Sequence, residues 1–551
     1  MSDPLKNRFA THEVANQVPP LAPYDVYATD TALQEAVKCE GGGWAGKELH
    51  ALGLVAGDEL MAAGFLANEN KPVFKPFDRC GHRIDEVNFH PAYHRLMTLG
   101  LHHGVANFSW RHADQAGAHV ARAALMYLYT QADQGTSCPL TMTHAAVPVL
   151  RQSPMLAASW LPRILATDYD PRHIPAWEKT GNTIGMGMTE KQGGSDVRAN
   201  TTRAYPVGAS GEDQLYELVG HKWFLSAPMC DAFLVLAQTE RGISCFLLPR
   251  FAPDGEINAV RIQRLKDKLG DWSNASAEVE FHGALAWMIG EEGRGIATII
   301  EMVALTREDC MIGSAGIMRQ ALVQAIHHCR HRNAFGKRLA EQPLMQMVLA
   351  DLALESAAAM AFSLRVARAI DASLRDPEAA AFARIATAIG KYWICKRCPA
   401  FVNEAQECLG GAGYVEESML PRLYRQAPLN SIWEGSGNIQ CLDVLRALTG
   451  DPATREAVFA ELAKVKGAHA LLDAEIAALT TQLVDMSDLE KNSRILVERL
   501  ALALQAATLI IAGNDVVANS FCRARLGNWG GRTFGTLPAD TPASILIERA
   551  F

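Results

Sequence analysis

Long hydrophobic runs are missing from this chain of 551 residues. The most apolar uncharged stretch, Leu500 to Asn514, is too short to cross a bilayer. Met1 to Pro20 has no continuous apolar core of the kind a signal peptide needs. Paired cysteines are scarce as well: the twelve cysteines are spread almost singly, too dilute for a secreted disulfide scaffold and suited to a reducing compartment. Positive charge is not in excess. The 52 Lys and Arg against 60 Asp and Glu leave a formal net charge of −8, which argues against a broadly basic nucleic-acid binder. No long repeat or low-complexity segment is visible. These absences set the expectation of a soluble, cytoplasmic protein with no membrane association.

What is present is core material, since 49% of the residues are hydrophobic and 20% charged, in a chain too long for one core. Residues 1–180 read as a polar, proline-bearing N-terminal arm of about thirty residues followed by a helical domain, with helical spacing clearest from Arg111 to Ala132. Residues 181–287 change character. Tyr216 to Val219, Ala232 to Ala237, Ile243 to Leu248 and Ala277 to Phe281 are short apolar or alternating runs between Gly, Pro and Asp, the signature of strands in a small β domain. Residues 288–449 return to long helical patterns, Gly295 to His331 and Pro343 to Leu374, that suit an antiparallel bundle. Residues 450–551 read as an extra helical domain, with helices over Ala453 to Leu483 and Leu489 to Gly513. The fold class is thus mostly α with a central β domain.

Chemistry concentrates in a few segments. Asn430-Ser-Ile-Trp-Glu-Gly-Ser-Gly-Asn-Ile-Gln440 sets the carboxylate of Glu434 beside Trp433 and before a flexible, hydroxyl-bearing run. Apolar surroundings raise a carboxyl pKa, which suits a general base near neutrality; the same residues would also serve as an ordinary turn with an exposed Glu. Gly185-Met-Gly-Met-Thr-Glu-Lys-Gln-Gly-Gly-Ser-Asp-Val197 supplies the free amides and small hydroxyls that a phosphate or a heterocycle edge needs. Three patterns are set aside. Gly41 to Gly46 satisfies G-x-G-x-x-G, but helix rather than strand precedes it, so it is no dinucleotide fingerprint. Cys395 and Cys398 lie in a helical context, and His327 with His331 lacks a third ligand, so no metal site is expected.

Together with His221 to Ser226, His331 to Lys337 and Cys408 to Tyr414, these segments resemble the acyl-CoA dehydrogenase family, whose members bind FAD. The Met-Thr-Glu-x-x-x-Gly-Ser-Asp, Arg-x-x-Phe-Gly-Lys, Leu-Gly-Gly-x-Gly and Trp-Glu-Gly runs all match between about residues 130 and 450. The forms at residues 188–197 and 433–438, with the extra C-terminal domain, resemble the adaptive-response AidB branch.

The resemblance implies an α, β-barrel-like, α arrangement with FAD between the β domain and the second bundle. It implies an acyl-CoA substrate, with Glu434 abstracting the α proton, hydride passing to the flavin, and the carbonyl polarised by the Glu434 backbone amide and a cofactor hydroxyl. Another branch of the family places its base at the position of Thr306, which cannot serve as one near neutral pH. For the cofactor the resemblance implies Met188, Thr189, Gly194 and Ser195 at the ring edge and pyrophosphate. It places Phe224 and Ser226 against the isoalloxazine, and Ser436 and Asn438 after the base. Arg332, Phe335, Glu407 and Gly411 would reach the cofactor of a neighbouring subunit, in a homotetramer. Glu407 departs from the usual Gln, and Ser436 from the commoner Thr. Electron-transfer flavoprotein or oxygen would accept the electrons. The AidB branch further implies a role in DNA alkylation stress, binding of double-stranded DNA through the C-terminal domain, and little dehydrogenase activity. From Leu445 onward, however, there are eleven Lys or Arg against twelve Asp or Glu, and Arg523, Arg525 and Arg532 beside Gly527-Asn-Trp-Gly-Gly531 form the sole candidate basic patch.

Overall fold

The structure, a computed structural model, describes residues 9–483, 488–527 and 531–551. The N-terminal helices are α1 (Thr31–Cys39), α2 (Gly46–Ala56), α3 (Glu59–Glu69), α4 (Pro91–His102), α5 (Phe108–Arg111), α6 (Ala118–Thr130), α7 (Ser137–Leu150) and α8 (Pro154–Ile164). Every residue of α6 is buried, which makes it the axis of this unit. It starts later than its periodicity predicts because Gly117 takes a left-handed turn (φ 84°) ahead of it. A Cβ there would lie 2.2 Å from the carbonyl oxygen of Gly41. Gly117 and Gly42, where a Cβ would lie 3.2 Å from the Ala121 nitrogen, therefore serve a close crossing of two backbones.

A hairpin interrupts the helices, contrary to the all-helical expectation for this region: β1 (Val73–Phe77) pairs antiparallel with β2 (Arg83–Asn88). Its turn is an Asx turn, with the Asp78 carboxylate accepting from the amides of Cys80 (2.7 Å) and His82 (2.9 Å).

The β domain comprises β3 (Ile184–Gly187), β4 (Arg203–Pro206), β5 (Leu215–Ser226), β6 (Ala232–Thr239), β7 (Gly242–Pro249), β8 (Val260–Leu265) and β9 (Ser276–Ile289). Pairings run β6–β4–β5–β9–β7 and return to β6, so five strands close into a barrel; β3 joins β6 in parallel and β8 flanks β9. Closure leaves those strands without a free edge. It also explains why Ala232 to Ala237 is apolar without alternation, for that run is buried throughout.

A 37-residue helix, α9 (Gly295–His331), leads into a small hairpin, β10 (Asn333–Ala334) and β11 (Lys337–Arg338). Then come α10 (Pro343–Ala372), α11 (Pro377–Cys408), α12 (Leu420–Gln426) and α13 (Gly437–Gly450). Asp376 caps α11 through the amides of Glu378 and Ala379, with Pro377 in its first turn. Among the described residues α10 is the single helix long and apolar enough to cross a membrane, and it is mostly buried in the bundle.

The C-terminal helices are α14 (Pro452–Ala463), α15 (Ala470–Gln482), α16 (Leu489–Ile511), α17 (Asp515–Arg525) and α18 (Ala543–Ala550). The single helix expected over 453–483 is two. Gly467 (φ 84°) breaks it, and His469 caps the second through the Leu471 amide. Helix α16 packs on α10, α11 and α13, so the extra helices are continuous with the bundle core. A second core fills the barrel and reaches α7, α8 and the start of α9. The candidate site lies between the two cores.

Candidate active site

Glu434 sits where the loop after α12 turns into α13, with a left-handed backbone (φ 57°). For a residue with a Cβ this costs about 1–2 kcal/mol and persists only where the surroundings enforce it. The enforcement is visible. Lys391, buried on α11, donates its ammonium protons to the carbonyls of Trp433 (2.7 Å) and Gly435 (2.5 Å). Arg307 Nε donates to the Glu434 carbonyl (3.0 Å), and Gln440 Nε2 to the carbonyls of Glu434 and Gly435, both at 3.0 Å. Arg307 is in turn held by Asp443 (2.8 Å), which also pairs with Arg384 (2.6 Å). Three consecutive carbonyls are thus bound toward the helical bundle. The Glu434 N–H has no partner among the described residues, and its carboxyl lines the cleft.

Thr306 of α9 donates to Glu434 Oε2 at 2.7 Å. The residue excluded as a base therefore orients the Glu434 carboxyl. Removal from water pushes the Glu434 carboxyl above the ordinary carboxylate range, against the Thr306 hydrogen bond and the Lys391 and Arg307 charges. Sequence reading missed Thr306, Arg307, Lys391 and Gln440. The available signal was Lys391, a lone cation inside the apolar run Ile389 to Ile394.

Across the cleft, the loop after β3 is clamped by one buried ion pair. Lys222 Nζ of β5 lies 2.7 Å from Glu190 Oε1, with both side chains fully buried, and donates also to the Leu236 carbonyl (2.8 Å). Glu190 further accepts from the Thr201 amide (2.7 Å) and hydroxyl (3.0 Å), the Thr202 amide (3.2 Å) and Gln192 (2.9 Å). Burial pushes this carboxyl up, but Lys222 and these donors outweigh it and hold it down to about 2. Gly194 completes the loop: a Cβ there would lie 2.5 Å from Thr189 Oγ1.

Met188, Thr189, Gly194, Ser195, Phe224, Ser226, Glu434 and Ser436 all line one cleft of about 660 Å³ between the barrel and α9–α13. Phe224, an aromatic in a strand-like run, is 45% exposed there rather than in the core. Small hydroxyls and an exposed ring on one wall form a donor set for a planar heterocycle. The residues present therefore fit a flavin.

The remaining sites expected from the sequence lie elsewhere. Asn438 does not line the cleft; its amide oxygen accepts from Arg494 of α16 (2.9 Å). Arg332 and Phe335 are at the far end of α9 and in the β10–β11 turn, beside Glu407 and Gly411 at the end of α11. Arg332 donates to the Asn16 carbonyl of the N-terminal arm. Glu407 accepts from Asn403 (3.1 Å), and Phe335 is wholly exposed. Within one chain this group and Glu434 are not brought together.

The three arginines expected to form a basic patch do not form one. Arg525 is buried and bridges Asp351 (2.5 Å) and Glu355 (2.9 Å) of α10. Arg523 pairs with Asp540 through both oxygens (2.7 and 3.0 Å). Arg532 alone of the three is exposed and without a carboxylate partner, and residues 528–530 lie outside the described residues. Cations spent on neighbouring carboxylates release no counterions on meeting phosphate. Arg525→Met, which leaves the buried Asp351 without its cation while Glu355 keeps Arg397 (3.2 Å), is expected to lower stability by about 3 kcal/mol with no change in the salt dependence of any DNA binding. Denaturant unfolding and a DNA titration of the variant check both halves.

A closed barrel between two helical units, with a carboxylate loop facing small hydroxyls and an exposed ring, defines a flavin-dependent oxidoreductase of acyl-CoA dehydrogenase architecture. Comparison with known proteins gives the same class. Family models for the adaptive response protein AidB N-terminal domain, the acyl-CoA dehydrogenase middle domain and the acyl-CoA dehydrogenase C-terminal domain match residues 16–171, 185–284 and 293–449. AidB of Escherichia coli (strain K12) is 46% identical over 523 residues, covering 95% of each chain. Acyl-CoA dehydrogenase family member 11 of Caenorhabditis elegans is 32% identical over 71% of this chain and 65% of its own. The solved structure of Caenorhabditis elegans ACDH-11 in complex with C11-CoA superposes with a TM-score of 0.86 at 26% identity, covering 96% of both chains. The apo-form of Bd2924 gives 0.84 at 30% identity over 91% of this chain and 100% of its own. The chain belongs to the acyl-CoA dehydrogenase family, in its AidB branch, and FAD is the cofactor that goes with this membership.

Proposed function

We propose that this protein dehydrogenates an acyl thioester, with Glu434 as the base that removes the α proton. The observation that carries this reading is the Glu434 loop: a carboxyl with raised pKa, oriented by Thr306, and an unpartnered N–H on the same residue, which lines one cleft with the flavin-compatible wall. Bound FAD supplies the two-electron acceptor. Thr189, Ser195 and Ser226 offer donors for the cofactor, and Phe224 offers a ring to stack on it. Lys391, Arg307 and Gln440 hold the loop so that its N–H is available to a thioester carbonyl oxygen as charge develops there.

Thr306→Val removes the hydrogen bond that holds the Glu434 carboxyl down, so its pKa rises further. The base must be deprotonated, so the acid limb of the kcat/KM profile is expected to move to higher pH, with about tenfold lower activity on the acid side. An unmoved limb contradicts the assignment. The reading as a whole is tested by acyl-CoA oxidation with an artificial electron acceptor over a range of chain lengths. Turnover supports it, and no turnover at any length contradicts it.

Assembly into a homotetramer belongs to the same proposal. Phe335 is fully exposed, and Tyr414 and Leu344 are 82% and 85% exposed around Arg332, Glu407 and Gly411. These are the residues the family resemblance assigns to a neighbour's cofactor. Sedimentation of the holoprotein tests this, and a monomer that keeps its FAD contradicts it. Electron-transfer flavoprotein or oxygen as acceptor, and a cytoplasmic location, complete the proposal. Duplex DNA is the alternative partner. The pairing of Arg523 and Arg525 weighs against it, and an absence of salt-sensitive binding in a titration at two salt concentrations would remove it.

A further inference from the structure

The cleft has a second pole. Asp271, in the loop between β8 and β9, is only 3% exposed, and neither carboxyl oxygen has a hydrogen-bond partner among the described residues. Gln134, in the turn between α6 and α7, and Gln426, at the end of α12, are also buried, with Oε1 and Nε2 respectively unpartnered. All three line the same cleft as Glu434. Cys138 lines it too, its thiol pushed up by burial, with the Lys268 charge opposing and the charges of Asp271 and Glu434 adding to the rise.

An unpaired buried carboxyl is costly, and native folds rarely keep one without a use. This one is held deliberately. Asp271 has a left-handed backbone (φ 53°), and Lys268 Nζ donates to the carbonyls of Asp271 and Asn274, both at 2.8 Å. Of the cations nearest the carboxyl, Lys268 is committed to those carbonyls, and Arg422 donates Nη2 to the Ala132 carbonyl (2.8 Å) while its Nε and Nη1 stay unpartnered among the described residues; neither cation hydrogen-bonds the Asp271 carboxyl. The other nearby carboxylate, Asp133, is satisfied by Asn68, Thr136 and Ser273. Burial pushes the Asp271 carboxyl up to about 7, so near neutrality it both donates and accepts. A cationic ligand group would face Lys268 and Arg422; a neutral hydrogen-bonding group would satisfy all three side chains.

We infer that Asp271, with Gln134 and Gln426, is the specificity determinant for an acyl thioester whose acyl chain carries a hydroxyl or amide. This rests on the dehydrogenase reading above. A site built to hydrogen-bond a ligand group rejects the analogue that lacks it, because its own polar atoms stay unpaired.

The test uses the FAD holoprotein, titrated anaerobically with short acyl-CoAs in matched pairs, one ending in methyl and one in hydroxyl. Binding is read from perturbation of the flavin spectrum and reaction from bleaching. The hydroxylated partner is expected to bind at least about tenfold more tightly at one chain length. Asp271→Leu should lose that preference, and the near-isosteric Asp271→Asn should keep most of it, both with wild-type FAD content. A spectral response with no discrimination, or a preference that survives Asp271→Leu, overturns this inference alone. No response to either series overturns the dehydrogenase reading, and this inference falls with it.

Discussion

Glu434→Gln is expected to lower acyl-CoA dehydrogenation by about 10²–10⁴-fold, the usual contribution of a general base, while FAD stays bound. The substitution keeps the size of the side chain and can still accept from Thr306, so the loop geometry set by Lys391, Arg307 and Gln440 survives. Only the proton acceptor is lost. The carboxyl already stands above the usual range through burial, and the neutral amide breaks no direct ion pair, since Lys391 and Arg307 donate to carbonyls and only their longer-range attraction for the carboxylate is lost. Equal turnover with unchanged flavin content would show that another group takes the proton.

Lys222→Met is expected to cost about 3–5 kcal/mol and to strip the protein of FAD, because it leaves Glu190 buried and unpaired. Glu190 ties Thr201, Thr202 and Gln192 to the loop that carries Thr189, Gly194 and Ser195, so its collapse removes that wall of the cleft. The double variant with Glu190→Gln should recover part of the loss, since the uncompensated charge is then gone. The linkage has a definite sign. Glu190 is held down to about 2 from an ordinary value of 4.5, so its contribution is fully present above 4.5 and is lost as pH falls toward 2. Flavin retention and denaturant midpoints across that window check both statements. A variant as stable and as yellow as the wild type would contradict them.

The sequence made some elements legible and hid others for identifiable reasons. Helix α9 is bounded as its pattern predicts, from Gly295 to His331, and strands β5, β6, β7 and β9 contain the runs singled out for them. Period and punctuation are local properties. The β1–β2 hairpin was hidden because its five- and six-residue strands sit among long helices, and its signal, Asp78 before Gly81, is a turn signal only. Residue 434 stood out because Trp and Gly flank it. The residues that position it did not, since Thr306 is 128 positions away and Lys391 43 from the loop glycine's neighbour. The arginines at 523 and 525 looked like a patch because their partners are read only in space: Asp351 and Glu355 precede Arg525 by 174 and 170 positions.

Anaerobic mixing of the oxidised holoprotein with acyl-CoAs of several lengths reads directly whether Glu434 and the flavin wall form one working site. Bleaching of the flavin by at least one of them is expected in the wild type, and none on the same timescale in Glu434→Gln. Flavin that dithionite reduces but no acyl-CoA bleaches would contradict it.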